Sequence, residues 1–153
     1  MSHLCDTDLR LWSEQQAELL RRRSAGEPID DVSLDWLHVA LAIEAVGKSE
    51  RLALASHIGT IIEHLARLEA SPATETCNGW RETILRARAD IEDSLESSPS
   101  LRPTLAAVVA RRHARALRLA AGVLALYGET PSLPLERIRY STDQVLGSWF
   151  PPG

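Results

Sequence analysis

Apolar residues recur at three- and four-residue spacing along most of the chain, and no stretch alternates in the two-residue period of a strand. Leu9, Trp12, Gln16, Leu19 and Leu20 mark one face of a first helix, predicted from about Asp8 to Ser24 and broken by Gly26 and Pro28. In a second helix Leu34, Leu37, Leu41 and Glu44 share a face while Trp36, Val39, Ala40, Ile43 and Val46 fill another, so apolar side chains cover more than half its circumference. Gly47 suits the left-handed position after a helix, and Ser49 with Glu50 can start the next. Leu54, Ala55, Ile58, Ile61, Ile62, Leu65 and Leu68 then give the strongest periodic signal in the chain. Leu34 to Pro72 is therefore expected to be a helical hairpin that organises the core.

The turn composition of Ala70 to Gly79 predicts a surface loop, with Asn78 capping a fourth helix that carries Trp80, Ile84, Ala87, Ile91 and Leu95. Ser97 to Ser100 ends it. A fifth helix runs from Pro99 toward Tyr127, with Leu105, Val108, Val109, Ala116, Leu119, Ala120 and Val123 expected inside. Beyond Gly128, a short turn at Leu135 to Arg139 precedes Ser141, whose spacing to Gln144 predicts a capping box opening a last helix from Thr142 to Trp149. Its Val145, Leu146, Trp149 and Phe150 are expected to dock on the rest. The fold class that follows is all-α: an antiparallel bundle of about five helices with a short C-terminal helix, in a single domain over residues 1–153.

Composition narrows the function classes. A chain of 153 residues can bury a self-sufficient core, and a net charge of −4 argues against general affinity for nucleic acid. The N-terminus lacks the basic start and apolar run of a secretion signal, and no apolar stretch approaches the ~20 residues that cross a bilayer. A cytoplasmic location with no membrane association is expected. Cys5 and Cys77 have no second Cys and no His at metal-ligand spacing, so inert thiols, no metal and no cofactor are expected.

Several blocks taken together carry a resemblance. They are Asp6-Thr-Asp8 with Trp12 and Gln16-Ala17; Leu34-Asp-Trp36 leading to Ile43-Glu44 and Gly47-Lys-Ser-Glu50-Arg51; Ile61-Ile62 with His64-Leu65; Trp80-Arg81 with Ile84 and Arg88; Ser98-Pro-Ser-Leu101; and Tyr140 to Leu146 with Phe150-Pro151. In their order and spacing the chain resembles the bacterial family called domain of unknown function twenty-nine, over nearly its whole length. The resemblance implies a small all-helical protein and carries over no catalytic residue. Two departures stand out. Ala40, Leu41 and Ala42 replace the paired acids usual before the Ile43-Glu44 equivalent, and His64-Leu65-Ala66-Arg67 replaces His-Leu-Leu-Lys while keeping the imidazole and the charge.

Three groups of residues are candidates for chemistry. Glu44 with His64 or His57 pairs a carboxylate and an imidazole that a hairpin would bring together, as acid and base, metal ligands or a structural hydrogen bond. Arg51 and His57 loosely match the Arg-spacer-His pattern of helical ribonucleases of the HEPN type, although helical geometry turns them about 240° apart. Arg111, Arg115 and Arg118 share a face of the fifth helix, where no acid occurs between Glu96 and Glu129. They suit phosphate or an acidic partner, or else pairing with Glu82 and other acids of the fourth helix.

The favoured reading is a non-catalytic cytoplasmic bacterial interaction module that binds a protein partner through a helix face left over from the core, with a homodimer as one form of it. The alternative is a weak helical nuclease or metal-dependent hydrolase using Glu44 with His64 or Arg51 with His57. A third possibility is nucleic-acid binding by the fifth helix through Arg111, Arg115 and Arg118.

Overall fold

A computed structural model describes residues 4–152, so the part of the N-terminal reading that falls on Met1 to His3 lies outside the described residues. The described residues form α-helices and short 3-10 turns without any strand. The α-helices are α1 (Leu4–Thr7), α2 (Leu9–Ser24), α3 (Trp36–Ala70), α4 (Cys77–Ser97), α5 (Leu105–Leu126) and α6 (Thr142–Leu146), with 3-10 turns at Asp31–Ser33, Pro99–Thr104 and Leu135–Arg137. By their contacts the residues separate into two compact units, 1–49 and 50–153.

The first unit is built by capping and by a few buried polar groups. Asp8 caps α2 by accepting from the Leu11 N–H at 2.9 Å, and Gly26 takes a φ of +83° just past its end. Asp30 accepts from the Val32 N–H at 3.1 Å and opens the 3-10 turn that leads to α3. Trp12 and Leu34 are buried, and so is Gln16. The Gln16 amide uses both ends: its Nε2 donates to the Ser33 carbonyl at 3.3 Å, and its Oε1 accepts from the Asp35 N–H at 2.8 Å. A buried amide is tolerable because it is satisfied in this way.

The expected hairpin does not form. Trp36–Ala70 is one uninterrupted helix of 35 residues, with Gly47 inside it. Gly26 and Gly128 are the glycines with positive φ, and each follows a helix end, whereas Gly47 keeps the helical sign. A glycine in a helix costs only about 1 kcal/mol relative to Ala, and no proline follows until Pro72, so the stop signal at Gly47 is too weak to act alone.

The second unit contains the core. Leu54, Ile58, Ile61, Ile62 and Leu65 of α3 pack with Ile84, Ala87, Ile91 and Leu95 of α4 and with Val108, Val109, Ala116, Leu117, Ala120 and Leu124 of α5. The α3 and α4 registers are those expected from the spacing. On α5, Leu119 is instead 54% exposed, and Leu117 and Leu124 take the inward places. The helix begins only at Leu105, after a 3-10 turn that contains Pro103, so its inward face is set by Val108 and Val109 and returns at Ala116, Leu117, Ala120 and Leu124. Thr76, not Asn78, precedes the first residue of α4.

The chain end closes this core. Ser141 and Gln144 form the expected capping box, with the Ser141 hydroxyl accepting from the Gln144 N–H and the Gln144 side chain accepting from the Ser141 N–H. Val145 is fully buried, and Leu146, Trp149 and Phe150 pack against the core. Arg88, on α4 and only 7% exposed, donates to the carbonyls of Val145, Gln144 and Trp149 and lies 4.9 Å from the Phe150 ring centre. The Gln144 and Val145 carbonyls are ones that a five-residue helix cannot satisfy within itself, and the Trp149 carbonyl lies just beyond its end, so the guanidinium takes the place of a missing turn. Burial holds its pKa below the usual arginine value.

Candidate functional site

Continuity of α3 decides the first candidate pair. Glu44 and His64 are twenty residues apart on that one helix, with no turn between them to return the chain as the hairpin would. Glu44 is exposed, and the His64 Nδ1–H donates to the Thr60 carbonyl at 2.9 Å one turn back, with the Glu63 carboxylate 3.9 Å away. The buried acid in this region is Glu63, which lies 3.5 Å from Arg67, whose guanidinium in turn sits 4.5 Å from the centre of the Trp80 ring. The carboxylate is held by an opposite charge, and that cation in turn lies over a π-face. Glu63 sits within the aliphatic stripe of α3, where apolar spacing gives no sign of it.

The second pair separates as well. Arg51 is exposed, while His57 turns toward α4 and places its Nδ1 3.7 Å from an Asp90 carboxylate oxygen. On α5, Arg111, Arg115 and Arg118 are all exposed, and among the described residues none of them is in an ion pair. The expected pairing with Glu82 is absent because Glu82 is taken by Arg86 of its own helix, at 2.7 Å.

Two clusters were not anticipated. In the second unit the Tyr140 hydroxyl donates to Glu69 at 2.7 Å, and the Tyr140 backbone N–H donates to His113 Nε2 at 3.1 Å. The His113 and Tyr140 rings, and those of Tyr140 and Trp149, each have centres 5.9 Å apart. Burial raises the Tyr140 pKa, and the Glu69 hydrogen bond and charge raise it further. Burial, followed by the nearby Arg139 charge, lowers that of His113. A groove of about 550 Å³ runs past Glu69, Arg139, Tyr140, Gln144 and Trp149. Several of its polar groups hold the fold together: Glu69 bonds Tyr140, Gln144 belongs to the capping box, and Arg139 donates to the carbonyls of Glu136 and Ile138, while Arg137 is exposed at its edge.

In the first unit Asp35 collects three donors. It accepts from the Trp12 indole at 3.2 Å, from the His38 backbone N–H at 3.3 Å, and pairs with His38 Nδ1 at 2.8 Å. These bonds, the His38 side chain first, hold the Asp35 pKa below its usual value, while its own burial opposes them. Cys5 and Asp6 of α1 lie beside His38, and ligand atoms of the three residues are all within 4.8 Å of one another. Cys5 therefore does have a histidine neighbour, one that only folding brings near.

The most extended exposed feature is apolar. Trp36, Ile43 and Val46 are 52%, 68% and 66% exposed, and Leu37 and Leu41 beside them are also exposed. Trp36, Val39, Ile43 and Val46 follow a 3-4-3 spacing, the repeat of a helix seam that packs against another helix. Among the described residues, no helix is long and apolar enough to cross a membrane. The family model for Domain of unknown function DUF29 matches residues 4–150. No curated protein and no solved structure matches the chain.

Proposed function

The chain belongs to the Domain of unknown function DUF29 family, and we propose that it works as a non-catalytic helical interaction module whose docking surface is the seam Trp36, Val39, Ile43 and Val46. One observation carries this reading: on a helix segment that is apolar over more than half its circumference, Trp36, Leu37, Leu41, Ile43 and Val46 are exposed and Val39 is half-buried. Such helices are otherwise found buried, and large exposed apolar patches mark interaction sites.

The occupant is a second copy of the same seam. Positions flanking a helix seam select partners by charge, and within α3 they are Ala40, Ala42, Gly47 and Ser49. All four are small and uncharged, so two identical helices can approach closely without like charges opposing them. A two-fold arrangement lets one patch satisfy both copies. The dispersal of Glu44, His64, Arg51 and His57 supports the non-catalytic part of the reading. The reading extends to the bacterial cytoplasm, in keeping with two free thiols, Cys5 and Cys77.

Sedimentation equilibrium across the micromolar range tests it. The wild-type chain is expected to dimerise, and Ile43→Asp with Val46→Asp to be monomeric with unchanged helix content. A wild-type chain that stays monomeric throughout, or a dimer that survives both substitutions, overturns the reading. A monomer that captures a different protein through this face would replace the second copy as occupant.

A further inference from the structure

We infer that Cys5, Asp6 and His38 form a binding site for a borderline-soft divalent cation of the zinc class. The three side chains supply a sulfur, an oxygen and a nitrogen ligand, and atoms from all three already lie within 4.8 Å of one another. Two ligand atoms on one tetrahedral ion are on the order of 3.5 Å apart, given bonds of about 2.0–2.3 Å. The contraction required is small for Asp6, which is exposed, and for Cys5, on the same short helix.

The arrangement behind the histidine is the second reason. Metal-bound imidazoles characteristically direct their other ring nitrogen at a carboxylate that fixes the ring. His38 Nδ1 faces Asp35 at 2.8 Å, and Asp35 is itself fixed by the Trp12 indole at 3.2 Å. The ion would therefore bind through Nε2, with Cys5 as thiolate after its proton has left to solvent. A fourth position remains for water or another donor. A mixed sulfur, nitrogen and oxygen set selects zinc-like ions over magnesium or calcium, which take oxygen alone.

The site would also account for α1. Four residues are far below the length at which a helix is stable by itself, and α1 buries none of its side chains. A shared ion would join it to α3.

Untagged full-length protein titrated with Zn²⁺ in a calorimeter, and separately with Co²⁺ in a spectrophotometer, tests the site. One equivalent of Zn²⁺ should bind, and Co²⁺ should give a near-ultraviolet thiolate-to-cobalt charge-transfer band. That band should vanish in Cys5→Ser and persist in Cys77→Ser, and His38→Ala should weaken Zn²⁺ binding at least tenfold. Asp35→Asn should keep the band and the helix content while lowering affinity about 10- to 100-fold, as loss of a carboxylate behind a metal-bound histidine does. Binding in the Cys5→Ser, His38→Ala double variant equal to wild type, or a cobalt band that depends on Cys77, overturns the inference. Because none of these residues belongs to the seam, dimerisation and metal binding fail independently.

Discussion

The Arg88 guanidinium donates to the Val145 carbonyl across 57 residues of sequence, at 3.0 Å and in a buried position. Its other bonds reach the Gln144 and Trp149 carbonyls at 2.9 and 2.8 Å. Hydrogen bonds to charged groups contribute about 1.5–3 kcal/mol each, and a buried acceptor left alone adds a penalty. Arg88→Ala should therefore destabilise the protein by about 3 kcal/mol or more. Arg88→Lys should recover little of it, because an ammonium group cannot reproduce the planar fork. Chemical denaturation of the two variants against wild type checks both statements.

Gly47 and Gly26 should respond in opposite directions to alanine. Within a continuous helix at a φ of helical sign, Gly47→Ala lowers the entropy of the unfolded chain and should stabilise by about 0.5–1 kcal/mol. Gly26 has a φ of +83°, so Gly26→Ala should destabilise by about 1 kcal/mol. Thermal denaturation of the pair distinguishes a through-running α3 from a hairpin, in which both substitutions would destabilise.

His113 should make the protein less stable in mild acid. Its folded pKa lies below the ordinary value of about 6.5, so as pH falls past that point the unfolded chain takes up a proton that the folded one resists. Stability is lost over that interval, and protonation also removes the Nε2 lone pair that receives the Tyr140 N–H. His113→Gln should show a smaller drop in denaturation midpoint between about pH 7 and pH 5.5 than wild type.

Tyr140 should govern the alkaline limb. Its folded pKa is raised, so its contribution is complete below the unfolded value of about 10 and declines above it, where the unfolded chain gains by ionising. Tyr140→Phe should be less stable than wild type at neutral pH, by about 1 kcal/mol for the lost bond to Glu69. It should also lose less stability between about pH 9 and pH 11, as urea denaturation at the two values would show.

Local patterns in the sequence predicted local features well. The inward register of α4 from Trp80 to Leu95 follows from spacing alone, and the Ser141 and Gln144 capping box needs only a three-residue interval. The errors arose where a local signal competes with a cooperative one. Gly47 reads as a stop, yet helix propagation through Val46 and Lys48 outweighs a cost of about 1 kcal/mol. That single error placed Glu44 near His64. Arg88 with Val145, Tyr140 with Glu69, and Cys5 with His38 were not legible, because each joins residues whose proximity is a property of tertiary packing. Tyr140 and Arg88 did stand within the blocks that carried the family resemblance, without any indication of what they touch.

The way the core is partitioned along the chain also orders its biosynthesis. Leu54 to Leu65 of α3 emerge from the ribosome before the residues of α4 and α5 that cover them, and Tyr140 and Val145 complete the same cluster much later. Until α4 and α5 have emerged, the nascent chain carries an apolar helix without the residues that cover it, the condition under which chaperones bind and aggregation begins. Translation halted upstream of Tyr140 would release a chain whose core lacks its closing side chains and whose Arg88 has no carbonyls to hold. Such truncated products are expected to be degraded faster than the full chain.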